Sequence, residues 1–169
     1  MPQLVDPAVR YKDSFIAAIR EFHLEGRYDD LMIAWLDDHF EAYVAGLIEK
    51  RHFAPQGKVK DTYKFLVEGD TYIGRVSIRH ELSESLKQFG GHIGYDIRPS
   101  ERRKGYGTLQ LKLALAVARE LGLTRVMLTC DSTNEGSRRI IQHNGGVFQD
   151  ETQLDFRPVP TQRWWIDLT

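Results

Sequence analysis

The stretch of this chain best suited to chemistry runs Ile97-Arg98-Pro99-Ser100-Glu101-Arg102-Arg103-Lys104-Gly105-Tyr106-Gly107-Thr108 and leads straight into a long apolar helical pattern. A strand that stops, two glycines one residue apart and a helix N-terminus make an anion cradle. Unpaired backbone N–H groups point outward there, and the helix dipole adds positive potential. Gly105 and Gly107 let the backbone approach an anion closely, and Arg98, Arg102, Arg103 and Lys104 supply the charge that a pyrophosphate or sugar phosphate needs. A solvated basic loop is the competing reading of the cations alone. Their place between a strand end and an apolar helix favours the cradle. Two familiar phosphate folds drop out: Gln110 stands where a dinucleotide fingerprint has its third glycine, and no Gly-Lys-Ser/Thr occurs.

The elements that must position the cradle follow from periodicity. Tyr11, Phe15, Ile19 and Phe22 recur at helical spacing, and Gly26 ends that helix. Trp35, Leu36, Phe40, Tyr43, Val44, Leu47 and Ile48 give a second, with Asp37, Asp38, Glu41 and Glu49 on its other face. Thr62 to Val67 and Tyr72 to Ile78 read as strands joined through Glu68-Gly69-Asp70, a hairpin turn. A short helical turn is expected around Leu86, then a strand from His92 to Ile97. Leu109 to Leu121 is a helix apolar around much of its girth, closed by Gly122. Val126 to Leu128 is a strand and Asn134 to His143 a short helix. Val147 to Phe156 with Arg163 to Leu168 form a closing strand pair in which Trp164 and Trp165 face opposite sides. The fold class is α/β: one domain over 1–169, with a mixed, mostly antiparallel sheet of six to seven strands and helices on both faces.

In this setting the sequence resembles the GNAT superfamily of acetyl-CoA-dependent N-acetyltransferases. The family's acyl-CoA signature, Gln/Arg-x-x-Gly-x-Gly/Ala, stands here as Arg102-Arg103-Lys104-Gly105-Tyr106-Gly107. The order of elements from about Tyr11 to Leu168 matches the family, including Asn134-Glu135-Gly136-Ser137 opening the short helix. The stretch Ile73 to His80 followed by Gly90-Gly91-His92-Ile93-Gly94-Tyr95 is similar to a bacterial subgroup of predicted acetyltransferases. The resemblance implies transfer of an acetyl group from acetyl-CoA to a primary amine by direct attack. Backbone N–H groups of Arg103, Gly105, Gly107 and Thr108 would hold the CoA pyrophosphate, with Arg102, Lys104 and Tyr106 alongside. Main-chain groups of Ile97 and Arg98 would pair with pantetheine as an added strand. Asn134 would hold the pantetheine arm, as well as capping its helix, and Ser137 would sit near the CoA sulfur or phosphates.

Two departures from the family bear on catalysis. The tyrosine that commonly protonates the leaving thiolate, seven residues after the asparagine, is Ile141 here, with Cys130 and His143 the nearest alternatives in sequence. For the general base, His80 and Glu81 at one strand end and His92 at the start of the next are the candidates, since an attacking ammonium must lose a proton. Alternation puts His80 and Glu81 on opposite faces, and a structural role binding the 82–89 loop competes for either histidine. Asp29, Asp30, Asp37 and Asp38 would attract a cationic amine or simply form a solvated acidic face. The missing tyrosine also admits a second function, an acyl-CoA-binding sensor or partner module without transfer.

Composition excludes broader classes. The chain has 23 basic and 24 acidic residues, a net charge of −1 with neutral histidines, which removes any global attraction to nucleic acid or an acidic membrane. Neither is expected as a partner; an amine acceptor is, small molecule or peptide, and a homodimer is common in the superfamily. Its 169 residues, 41% hydrophobic and 28% charged, are enough for a core without staples. Cys130 is the only cysteine, and the six histidines fall into no zinc-ligand spacing, so no disulfide and no metal are expected. No apolar run approaches ~18 residues, and Asp6 and Asp13 interrupt the N-terminal stretch, so a cytoplasmic location is expected.

Overall fold

Alternation of apolar residues in the middle of the chain builds a sheet with two different faces. A computed structural model describes residues 1–169. The elements are β1 (Gln3–Val5), α1 (Lys12–Leu24), α2 (Ile33–Glu49), β2 (Asp61–Glu68), β3 (Thr71–Arg79), α3 (Glu84–Gln88), β4 (Ile93–Ile97), α4 (Tyr106–Glu120), β5 (Arg125–Asp131), α5 (Glu135–His143), β6 (Val147–Thr152) and β7 (Thr161–Asp167). Val76, Ile78 and Ile93 pack with Leu111 and Leu115 of α4, Leu128 of β5, Ile141 of α5 and Trp164 of β7 in one core. Phe65, Val67 and Tyr72 pack on the opposite side with Phe15 and Phe22 of α1 and Leu36 and Phe40 of α2 in another. Each fully buried side chain of this size contributes about 1.5–3 kcal/mol.

The seven strands form two antiparallel sheets, β1-β2-β3-β4 and β5-β7-β6, with helices on both faces as expected. The break lies between β4 and β5 and is spanned just ahead of β4, where the Gly90 N–H donates to Thr129 Oγ1 at 2.9 Å and His92 bonds to Met127 twice. The His92 N–H donates to the Met127 carbonyl at 2.8 Å, and the Met127 N–H donates to His92 Nδ1 at 2.9 Å. Beyond this join no backbone hydrogen bond links the two strands, so the outer edge of β4 is open. No helix is long and apolar enough to cross a membrane.

Most sequence expectations fall within a few residues of these bounds. The short strand β1, held by the register Leu4 opposite Leu66, lies in the stretch that periodicity left unassigned. Three residues are too few to show an alternation. The two tryptophans do face opposite ways. Trp164 packs edge-on against Phe148 at 5.1 Å, whereas Trp165 points outward with the Arg125 guanidinium 3.7 Å above its ring.

Candidate active site

The cradle is built by backbone conformation. Arg103 and Gly105 both adopt left-handed angles, φ 62° and 84°, and this alternation turns successive N–H groups to one side as an anion-binding nest. None of the N–H groups from Arg103 through Thr108 meets a backbone acceptor; the first such bond in this region is Leu109 N–H to the Gly105 carbonyl at 3.2 Å. A Cβ on Gly105 would meet nothing within 4 Å, so the chain is open to solvent beside the nest at this residue. Gly107 has a different duty. A Cβ there would stand 2.5 Å from Ile140 Cδ1, so its absence lets α5 close on α4. Asn144 Nδ2 secures the same junction by donating to the Thr108 carbonyl at 3.2 Å.

The four cations divide. Arg98 points inward to Glu21 at 2.7 Å. Arg102 forms a two-pronged pair with Glu25 at 2.7 and 2.9 Å and donates from Nε to the Ile97 carbonyl at 3.2 Å. These bonds fasten α1 to the cradle. Lys104 is half exposed beside Glu101 at 3.0 Å, a surface pair of little strength, and Arg103 is exposed. The last two are thus the cations best placed to turn to an anion.

The open edge of β4 follows from hydrogen-bond parity. Arg98 N–H donates to the Ile73 carbonyl at 2.7 Å and the His92 carbonyl accepts from Arg79 N–H at 2.7 Å. Even-numbered residues therefore face β3 and odd-numbered ones face away. Ile97 has its N–H on the open edge. The Arg98 N–H is taken by β3 and its carbonyl by Glu101 N–H at 2.9 Å, so its main chain is not free to pair with an added strand. Tyr95, not singled out from the sequence, holds the second open-edge position instead. Its hydroxyl reaches across to α5 and meets Ser137 Oγ at 2.8 Å. Burial pushes the phenol up to about 12, so it keeps its proton at neutral pH. Asn134 caps α5, its Oδ1 accepting from Ser137 N–H at 3.0 Å, which leaves its amide nitrogen outward. Ile141 is fully buried, Cys130 is buried with its thiol pushed up by desolvation, and His143 is exposed.

The structure does not gather His80, Glu81 and His92 into one group. His80 Nε2 is 2.8 Å from Thr62 Oγ1, in a groove with Arg51, Lys64, Val117 and Glu120. That groove lies at the C-terminal end of α4, roughly 20 Å along the helix from the cradle. Glu81 is exposed. His92 is 7% exposed, and burial, with Arg79 and Arg125 nearby, lowers it to about 4, so it is a neutral acceptor for Met127 N–H. Asp29, Asp30, Asp37 and Asp38 are exposed. A cluster missed from sequence lies on the α1–α2 side of β4: Asp96, Arg75 and Tyr28, separated by 21 and 68 residues in the chain. Only the pairing of Arg75 with Asp96 across β3 and β4 brings it together.

Comparisons with known proteins bear on the family and the fold. A family model described as an acetyltransferase (GNAT) domain matches residues 18–147. A search of curated proteins gives no match. Among solved structures, the microcin C7 self-immunity acetyltransferase MccE, in complex with acetyl-CoA and AMP, superposes with a TM-score of 0.71 at 15% identity, covering 98% of this chain and 92% of that one. A putative ribosomal-protein-serine acetyltransferase from Vibrio cholerae gives 0.69 at 18%, covering 98% and 93%. The ribosomal L7/L12 α-N-protein acetyltransferase RimL, in complex with coenzyme A, gives 0.69 at 12%, covering 98% and 93%. With a family model that matches residues 18–147, over a fold that carries a backbone nest at the start of α4 and an open edge on β4, this chain belongs to the GNAT family of acetyltransferases.

Proposed function

We propose that this protein is an N-acetyltransferase that moves the acetyl group of acetyl-CoA to a primary amine by direct attack in a ternary complex. The carrying observation is the run of N–H groups from Arg103 to Thr108 without a backbone partner, a pyrophosphate-sized donor set at a helix N-terminus. Pantetheine then extends along the open edge of β4 and pairs with Ile97 and Tyr95. The Tyr95 N–H polarises the thioester carbonyl and stabilises the tetrahedral oxyanion. The amine nitrogen forms its bond to the acetyl carbon, the carbon–sulfur bond breaks with its electron pair on sulfur, and the nitrogen's proton leaves to water.

Ser137 takes the acid's role that Ile141 cannot fill. Its hydroxyl protonates the departing thiolate and takes a proton back through Tyr95, 2.8 Å away, which is itself reprotonated from the water that received the amine's proton, so that Tyr95 ends the cycle as the neutral phenol. Asn134 holds the pantetheine amide with its free side-chain nitrogen. Release of CoA thiol from acetyl-CoA, followed while amines are added, tests this reading. Intersecting double-reciprocal lines support a ternary complex. Tight acetyl-CoA binding with no amine-dependent thiol release favours the second reading, a non-catalytic acyl-CoA-binding module.

A further inference from the structure

On the α1–α2 side of the first sheet, away from the α4 face, Arg75 on β3 and Asp96 on β4 are direct cross-strand partners. Asp96 is 8% exposed and the Arg75 side chain 19%. Arg75 Nε lies 3.7 Å from Asp96 Oδ2, near enough to attract but too far for a hydrogen bond. The guanidinium instead donates to Tyr43 Oη at 3.0 Å, and Asp96 Oδ2 accepts from the Tyr28 hydroxyl. Asp96 Oδ1 has no partner. A buried carboxylate oxygen left without a donor is expensive, and a buried ion pair stabilises a fold less than apolar residues in the same space. The arrangement is poor as structure and well suited to a ligand.

Its place points to the acceptor. Asp96 lies between Tyr95 and Ile97, whose edge groups are those proposed to hold pantetheine, and the next residue on its face is Gly94, with no side chain. The Arg79 guanidinium, held by the Gly90 and Gly91 carbonyls, stands 3.6 Å from where a Gly94 Cβ would be and bounds that end of the face, so an amine reaching the thioester from the α1–α2 side meets Asp96 beside it. Aromatic walls stand beside the pair, with Arg75 Cζ 4.6 Å from the Tyr28 ring and 5.9 Å from the Tyr63 ring. Tyr28 covers Asp96 from a mostly exposed loop, in a left-handed conformation with φ 58° that side chains other than glycine rarely adopt.

We infer that Asp96 and Arg75 recognise the acceptor and that the acceptor is a free α-amino acid. The ammonium donates to Asp96 Oδ1 and the carboxylate takes the donors that Arg75 does not give to Tyr43, while the acceptor's side chain lies against the tyrosine rings. An α-amino acid carries its opposite charges one carbon apart, which matches the close spacing of Arg75 and Asp96. This inference rests on the cleft being an acetyl-CoA site.

The test begins with calorimetry of acetyl-CoA binding and continues with thiol release at saturating acetyl-CoA. Acceptors are free amino acids with apolar, aromatic, acidic and basic side chains, their carboxamides, and a simple diamine. The expected result is at least one amino acid turned over with kcat/KM about tenfold or more above its carboxamide. Asp96→Asn, which keeps the shape, raises KM for that amino acid about tenfold or more, changes kcat much less, and leaves the acetyl-CoA Kd as it was. A carboxamide or diamine that matches or exceeds every free amino acid overturns the inference, as does an unchanged KM in Asp96→Asn. Should that variant fail to fold, the carboxamide comparison on the wild-type protein decides alone. Acetyl-CoA binding without thiol release from any amino acid overturns the acceptor and spares the cofactor, whereas absent acetyl-CoA binding overturns both.

Discussion

Replacing Gly105 separates the cost of a left-handed residue from the cost of blocking an anion. Gly105 and Gly122 have nearly the same backbone angle, φ 84° and 86°, and a Cβ on either would meet nothing within 4 Å. Gly105 opens α4 and Gly122 follows its other end. Substitution by glutamate at either position imposes the same penalty of about 1 kcal/mol for a side chain at positive φ. For a chain of this length that lowers Tm by about 3 °C. The two differ in what the carboxylate faces. With an effective dielectric constant of about 40 and a separation of about 6 Å, repulsion from each pyrophosphate charge is about 1.4 kcal/mol. Two charges give about 3 kcal/mol, or roughly a hundredfold in Kd. Calorimetric titration with acetyl-CoA and thermal melts of both variants provide the measurement. Gly122→Glu keeps wild-type affinity, and Gly105→Glu loses about two orders of magnitude at the same Tm. Equal affinities in the two variants would refute the placement of the anion.

Other consequences follow from the same contacts. His92 is lowered to about 4 in the folded protein against about 6.5 unfolded, so the unfolded state binds more protons between those values. The stabilising contribution is complete above about pH 6.5 and falls as pH drops towards 4, by about 2 kcal/mol at pH 5. Chemical denaturation from pH 7 to 5 measures it, and His92→Asn, whose Oδ1 can still accept from Met127 N–H, flattens the dependence. Ser137→Ala, which leaves the Tyr95 hydroxyl only the main-chain carbonyl of residue 137 at 3.5 Å, lowers kcat by about 10- to 100-fold while the acetyl-CoA Kd changes little, read by steady-state thiol release. Gly107→Ala forces Ile140 aside and costs about 1–2 kcal/mol in denaturant unfolding.

What was legible in the sequence is what local rules determine. Helices α1, α2 and α4 announce themselves by apolar spacing, and the cradle by two glycines between a strand end and a helix start. The final division into two sheets was not legible, because it depends on His92 spanning from β4 to Met127, 35 residues away. Parity along β4 was available in principle, since a strand anchored at Arg98 leaves Ile97 and Tyr95 on its other edge. Without the bond from Arg98 to Ile73 there was no way to choose which parity faces the cleft. The same holds for Ser137, whose link to Tyr95 spans 42 residues. His80 and His92 looked like neighbours because their strands pair, yet one faces a groove at the far end of α4 and the other is committed to β5. Residue type suggested a base, and the contacts assign each histidine a different partner.

Acetyl-CoA, CoA and 3′-dephospho-CoA titrated in parallel into the purified protein test the central claim most directly. Acetyl-CoA and CoA should bind with similar affinity, because the nest grips the shared pyrophosphate, and dephospho-CoA should keep much of that affinity for the same reason. No heat and no thermal stabilisation with any of the three would contradict the account, since the N–H groups from Arg103 to Thr108 would then serve no acyl-CoA.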